Sequence, residues 1–303
     1  MQWPAGEVSL GPDVAVFCHF DPDGAVRPDV LGYVAALRSA GFSVVVVSNS
    51  GRLVPEDAAA LRGLCAAVLV RRNSGRDFAA WREAMGRLGL PRVETRRLLL
   101  ANDSVCGPLA PLEPLLARMD DAADMWGMTD SEELGWHLQS FFLLVGSGVF
   151  RSKAWQRFWR GVRPMPSKLL TILWYEVGLS RYLTRAGFRL RALFPVRQYS
   201  PSPCGRGLGG GGGARDGFDD GATAASPPPP NPLLQGEGEK FNRHHPSQNH
   251  HFQPDIQSHQ PQGRPLNPTL SSWQALRAAG FPFVKRSVLR TDPNAIPDRA
   301  GMP

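Results

Sequence analysis

LLLANDSVCGPL, residues 98–109, decides the fold. A short apolar run stops at a polar cluster, Asn102, Asp103 and Ser104, and a Gly-Pro turn follows. Three earlier runs end in the same manner: VAVFCHFD at 14–21, SVVVVSNSG at 43–51 and AAVLVRRNSGRD at 66–77. In an open α/β sheet, ligands bind outside the carboxyl ends of the strands. One such ending is a turn. Four in succession predict a shared crevice.

Working outward, strands are expected at 14–20, 43–47, 66–70 and 97–101, with helices between them after Pro28, at 55–64 and at 78–88. Pro, Gly, Asn and Asp punctuate each element, as helix and strand ends require. Strands alternating with helices of this length predict βαβ units and a mainly parallel sheet. The strands are nearly continuous apolar runs, which predicts burial on both faces. Further on, HLQSFFLLVGSGVF holds one strand and a turn. A Trp- and Arg-rich helix surrounds Trp155, Phe158 and Trp159, a longer helix spans 168–186, and a short strand follows at 189–194.

The expected organisation is a tail at 1–13, an α/β domain at 14–198, an insert at 199–266, a helical segment at 267–292 that docks on the main domain, and a tail at 293–303. The insert contains SPSPCGRGLGGGGG, SPPPPNP and a His- and Gln-rich tract. It lacks periodicity and large apolar residues, so it is expected to be disordered.

The chain has 303 residues and a net charge of +7. Its arginines are scattered rather than blocked, which disfavours nucleic acid as a partner. The four cysteines, Cys18, Cys65, Cys106 and Cys204, form no CxxC pair. Buried thiols in a reducing compartment account for them. The chain shows no secretory signal and no apolar run near the ~20 residues that span a bilayer. A cytoplasmic protein is expected, with peripheral attachment to the inner face of the membrane left open.

Glu176 sits in WYEVGLSRYLTRAGFRL, where an acid opens an amphipathic helix that ends at a glycine before a short strand. This block resembles one in inverting glycosyltransferases of the GT-A fold. The resemblance implies Glu176 as general base toward an acceptor hydroxyl, which needs a carboxylate within hydrogen-bond reach. The plain alternative is a surface glutamate pairing with Arg181 or Arg185. Asn102, Asp103 and Ser104 stand where such enzymes carry two carboxylates that hold a divalent cation, Mg or Mn, against the donor diphosphate. With one carboxylate in three positions, Asp103 is the metal candidate, and a capped turn explains the same residues.

The loop Asn73, Gly75, Arg76 and Asp77 opens a helix whose N–H groups suit a phosphate, and Arg76 adds charge. Asp77 reads equally as that helix's N-cap. His19 and Asp21 close the first strand, where a base or ribose would lie, and Ser48 closes the second. Trp155, Trp159, Trp174 and Tyr175 either line a sugar site or fill a helix core.

FDPDGAV, followed one helix later by VVVVSNS, also resembles the first two motifs of haloacid dehalogenase-like phosphatases. In that reading Asp21 is the nucleophile, Asp23 the acid/base and Ser48 a phosphate ligand. The later acidic cluster of those enzymes has its nearest counterpart in WGMTDSEELG, in the wrong order.

Taken in order, VFCHFDPDGAV, VVVVSNSG, RRNSGRDFAAWREAM, LLLANDSVCGPL, WGMTDS, HLQSFFLLV, YEVGLSRYL and GFPFVKRSVLR resemble the rhamnan synthesis protein F family. The resemblance implies a glycosyltransferase-like protein of rhamnose-rich polysaccharide or O-antigen synthesis. It implies a nucleoside-diphosphate sugar as donor, a glycan or lipid-linked acceptor, and other polysaccharide-assembly enzymes as partners. On that view the loop 73–77 and the cluster 102–104 face the donor, His137 and Gln139 lie near the acceptor, and Glu176 is the base. A non-catalytic assembly protein is the remaining alternative.

Overall fold

The computed structural model describes residues 2–199 and 267–291. The insert expected at 199–266 lies, beyond Tyr199, outside the described residues, and so does the tail at 293–303. The strands in chain order are β1 (Gln2–Trp3), β2 (Asp13–His19), β3 (Ser43–Ser48), β4 (Ala67–Val70), β5 (Arg97–Asn102) and β6 (Val105–Cys106). They continue with β7 (Met125–Ser131), β8 (His137–Leu138), β9 (Phe142–Gly146), β10 (Leu190–Phe194) and β11 (Val284–Lys285).

The main sheet runs β1-β4-β3-β2-β5-β9-β7-β10, with β8 on β7, and β11 pairs separately with β6. β2 lies parallel to β3 and β5, β3 to β4, and β7 to β10. β9 enters antiparallel between β5 and β7. This is the mainly parallel α/β sheet that the sequence predicts. Its four parallel strands β2 to β5 carry their polar endings to one edge.

The apolar runs reflect burial on both faces. Ala15 and Phe17 of β2, with Leu99 and Ala101 of β5, face one core. Val14, Val16, Leu98 and Leu100 face the other. Successive strand residues point to opposite faces, so a strand covered on both sides has no polar parity.

On the first face lie α1 (Pro28–Ser39) and α2 (Pro55–Leu64), contributing Tyr33, Leu37 and Leu61. Proline at the first turn starts both helices, where its missing N–H costs nothing. The second face is covered by α3 (Arg76–Arg87), contributing Phe78, Trp81 and Met85. α4 (Glu113–Ala117) packs Leu115 and Leu116 on the first face, and α5 (Ser147–Phe150) and α6 (Lys153–Gly161) pack Phe150, Trp155 and Trp159 on the second. Trp155, Trp159 and Tyr175 are therefore core residues, with Trp159 and Tyr175 both packed on Phe78.

The helix expected at 168–186 is interrupted. α7 (Lys168–Thr171) gives way to a π-helix, Ile172–Val177, before α8 (Gly178–Arg185) resumes the α-helical repeat. π-turns inside helices are frequent at functional sites, and this one carries Glu176. α9 (Val196–Tyr199) ends the first described stretch, and the second holds α10 (Pro268–Ser271), α11 (Trp273–Ala278) and α12 (Arg286–Thr291).

Two expectations change. The tail at 1–13 is not free, because Gln2 and Trp3 pair with Leu69 and Val68 at the sheet edge, and Val8 and Leu10 are buried. The segment from 267 is more than a docked helix. Phe281 and Phe283 enter the first core, and β11 joins β6 directly beyond the Asn102–Ser104 turn.

Candidate functional site

The carboxyl ends of β2, β3 and β5 form one connected set of side chains, which the loop after β4 completes. His19 Nδ1 lies 3.1 Å from Ser48 Oγ, which donates to Ser50 Oγ at 3.0 Å. The Asp21 N–H donates to the same Ser50 Oγ. Burial lowers the His19 pKa, with Asp103 opposing. A neutral imidazole follows at neutral pH. Next to this chain, Asn49 accepts from Arg71, whose Nε is ion-paired to Glu83 at 2.7 Å.

Asp77 is the centre of the second group. It accepts from Asn102 Nδ2 at 2.8 Å and from the Cys18 thiol at 3.4 Å. Burial raises its pKa to about 6, and the nearby charges of Asp103 and Glu176 push in the same direction. Its carboxyl is therefore held by side chains across the sheet rather than by its own helix; the residue at the helix start, Gly75, makes no side-chain cap. Gly75 is left-handed, at φ +82°, and a Cβ there would meet Pro164 Cα at 2.8 Å and Ala79 Cβ at 2.6 Å. Asn73 and Arg76 stand exposed on the rim.

Asn102 also accepts the Ser104 N–H at 3.0 Å, closing the turn. Asp103 accepts the Phe20 N–H at 3.3 Å and lies 3.6 Å from Arg27. Burial raises the Asp103 pKa, and His19 and Arg286 oppose that rise. Phe20, between His19 and Asp21, leaves its ring exposed (43 %) beside this turn.

Glu176 faces the same interior. Its Oε1 accepts the Ser140 N–H at 2.7 Å, and its charge reaches both Asp77 and Lys285. The alternative pairing with Arg181 or Arg185 is absent among the described residues.

His137 and Gln139 take a different place. Both are buried, His137 with Nδ1 on the Gly135 carbonyl and Gln139 bridging Asn267, Thr269 and the Asp130 carbonyl. The Gln139 amide is engaged with the protein itself and ties the late segment to the body. Asp21 closes its own loop, its Oδ1 accepting from the Asp23 and Ala25 N–H groups. Its other oxygen, Oδ2, lies 3.8 Å from Arg27.

Three residues that sequence reasoning passed over complete the crevice. Arg27 lies within ion-pair distance of Asp21, Asp29 and Asp103. Arg286 pairs with Asp29 at 2.7 Å, and its Nε donates to the Asp103 carbonyl. Lys285 sets its ammonium 4.9 Å from the Phe141 ring centroid. The signal was the Lys-Arg pair inside the apolar run FPFVKRSVL.

The two carboxylates nearest the turn, Asp103 and Asp77, are already engaged by other protein groups. Among the described residues no three His, Cys, Asp or Glu side chains converge as a cation site. Asp103 is engaged with a backbone N–H and Arg27, and Asp77 with an amide and a thiol.

Among known proteins, the family described as rhamnan synthesis protein F matches residues 44–204. An uncharacterised protein of Sinorhizobium fredii, y4gN, is 26% identical over 194 residues, which is 62% of this chain and 50% of that protein. The virulence protein VirA of Vibrio anguillarum is 24% identical over 261 residues, 85% of this chain and 72% of that one. The chain thus spans half the length of the Sinorhizobium protein. Solved structures are more distant. A 4-diphosphocytidyl-2C-methyl-D-erythritol synthase aligns with a TM-score of 0.39 and 14% identity, covering 61% of this chain and 89% of that one. The galactosyltransferase LgtC aligns with a TM-score of 0.29 and 15% identity, covering 54% and 70%.

Proposed function

We propose, on the premise that this chain belongs to the rhamnan synthesis protein F family, that it transfers a sugar from a nucleoside-diphosphate donor to a growing glycan. The acceptor is a polysaccharide or a lipid-linked glycan, and the sugar a deoxyhexose such as rhamnose. The donor occupies the crevice of strand ends, with His19, Ser48, Asp77 and the 102–104 turn on its nucleotide side. Glu176 takes the proton from the acceptor hydroxyl as that oxygen attacks the anomeric carbon from the opposite side. A single displacement of this kind inverts the anomeric centre.

The observation that carries this reading is the setting of Glu176. One carboxylate oxygen is fixed by the Ser140 N–H, and Oε2 has no hydrogen bond to the described residues. A general base needs this combination of a held orientation and an open oxygen. No helix among the described residues is long and apolar enough to cross a membrane; a lipid-linked acceptor would be met at the membrane's inner face.

The test is release of nucleoside diphosphate from a panel of nucleoside-diphosphate sugars given a glycan acceptor. Glu176→Gln is expected to lower turnover by about 10²- to 10⁴-fold, the usual worth of general base catalysis, with an unchanged circular dichroism spectrum. Wild-type turnover in that variant removes Glu176 as the base. Hydrolysis of an aryl phosphate that depends on Asp21 would favour the phosphatase instead.

A further inference from the structure

The site holds a cation of its own. β11 pairs antiparallel with β6, setting Lys285 opposite Val105 and immediately beyond the Asn102–Ser104 turn. The Arg286 N–H donates to the Ser104 carbonyl at 3.1 Å, and its Nε to the Asp103 carbonyl. The late segment is therefore bonded to the turn where a metal-dependent transferase would carry its cation.

Lys285 is partly buried, and no carboxylate lies within ion-pair distance of it among the described residues. Burial lowers its pKa, and Glu176 and Asp77 act against that shift from farther off. Its described close partner is the face of Phe141, a cation–π contact that holds an ammonium without neutralising it. Arg286, by contrast, is paired with Asp29 and bonded to the turn's backbone, which fixes the strand end that carries Lys285. A lysine amine held in a crevice without a counter-ion is driven back to its charged form when an anion binds beside it, because desolvated charge is costly until it is paired.

We propose that Lys285 takes the place of the divalent cation and binds the donor's diphosphate, with Arg286 positioning it. This rests on the sugar-nucleotide reading above. In the transfer step the bond from the acceptor oxygen to the anomeric carbon forms while the bond from that carbon to the phosphate oxygen breaks. The electron pair leaves with the diphosphate, the acceptor proton goes to Glu176, and the added negative charge on the diphosphate meets the Lys285 ammonium. A fixed charge at that point stabilises the leaving group without reorganisation.

The experiment is calorimetric titration of the full chain with uridine, guanosine and deoxythymidine diphosphates, in EDTA and again with excess Mg or Mn. One of these is expected to bind in EDTA, with its Kd little changed by the metal. Lys285→Met is expected to weaken binding by about tenfold or more, corresponding to one lost charge-assisted contact, and Lys285→Arg to retain part of it. Equal binding by Lys285→Met overturns the proposal and leaves the sugar-nucleotide reading standing. Binding that requires the metal in the wild type overturns it also, a result that needs no variant to fold. No binding of any of the three, with or without metal, sinks the sugar-nucleotide reading and this proposal with it.

Discussion

Asp77→Asn should remove a pH dependence that the wild-type protein carries through its own site. In the unfolded chain this carboxyl titrates near 3.9; in the folded protein burial raises it to about 6. Below about pH 4 both states hold the proton, and the ionisation of Asp77 does not affect stability. Between about pH 4 and pH 6 the unfolded chain releases the proton while the native state keeps it, so stability falls as pH rises. Above about pH 6 both are ionised and the loss is complete. A rise of about two units at 1.36 kcal/mol per unit amounts to about 3 kcal/mol. Asparagine supplies an oxygen for the Asn102 amide and never ionises. The stability of the variant relative to wild type should therefore climb by about 3 kcal/mol from pH 4 to pH 7. Urea unfolding at half-unit pH steps measures this directly, because every group not coupled to Asp77 cancels in the difference between the two curves. Parallel curves over that range would refute the burial argument for Asp77. A difference that grows toward acid would reverse its sign and place the carboxylate in a favourable ion pair.

Two further outcomes test how the late segment and the phosphate-side loop are held. Phe283→Ala removes a fully buried ring packed on Tyr33 and Phe141; a loss of about 3–5 kcal/mol is expected, read as a lower urea midpoint, and an unchanged midpoint would mean that the segment does not dock. Gly75→Ala places a Cβ against the Pro164 backbone at a left-handed residue; the conformation alone costs about 1–2 kcal/mol, and the shifted start of α3 should weaken nucleoside-diphosphate binding, which wild-type affinity would contradict.

The sheet was legible because local pattern dictates it. Each of β2 to β5 is a single apolar run between turn residues, and the helices between them start at proline or after Gly75. Parallel strands all end at the same edge, so the polar endings had to meet, and Asn102 reaching Asp77 follows from that rule. The crevice was harder where it depends on distant parts of the chain. Gln139 reads as an available polar group because nothing nearby in sequence reveals that Asn267 and Thr269 come to bond its amide. The π-turn under Glu176 has no local signature, since ILWYEV reads as ordinary helix.

Lys285 and Arg286 show the same limit from the other side. Their neighbours Val105 and Ser104 lie roughly 180 residues away along the chain, and pairing across so long a loop costs chain entropy that grows only slowly with its length. A long insertion between body and late segment is therefore tolerable for stability, provided the late segment repays the closure by its own burial. Phe281, Phe283 and Val284, all buried, supply that burial, and the polar pair that follows them is delivered to the turn as a consequence. Shortening the chain between Tyr199 and Asn267 should leave the Lys285 contact intact, whereas removing the segment from Asn267 onward should uncover Tyr33 and Phe141 and take the ammonium away from the crevice.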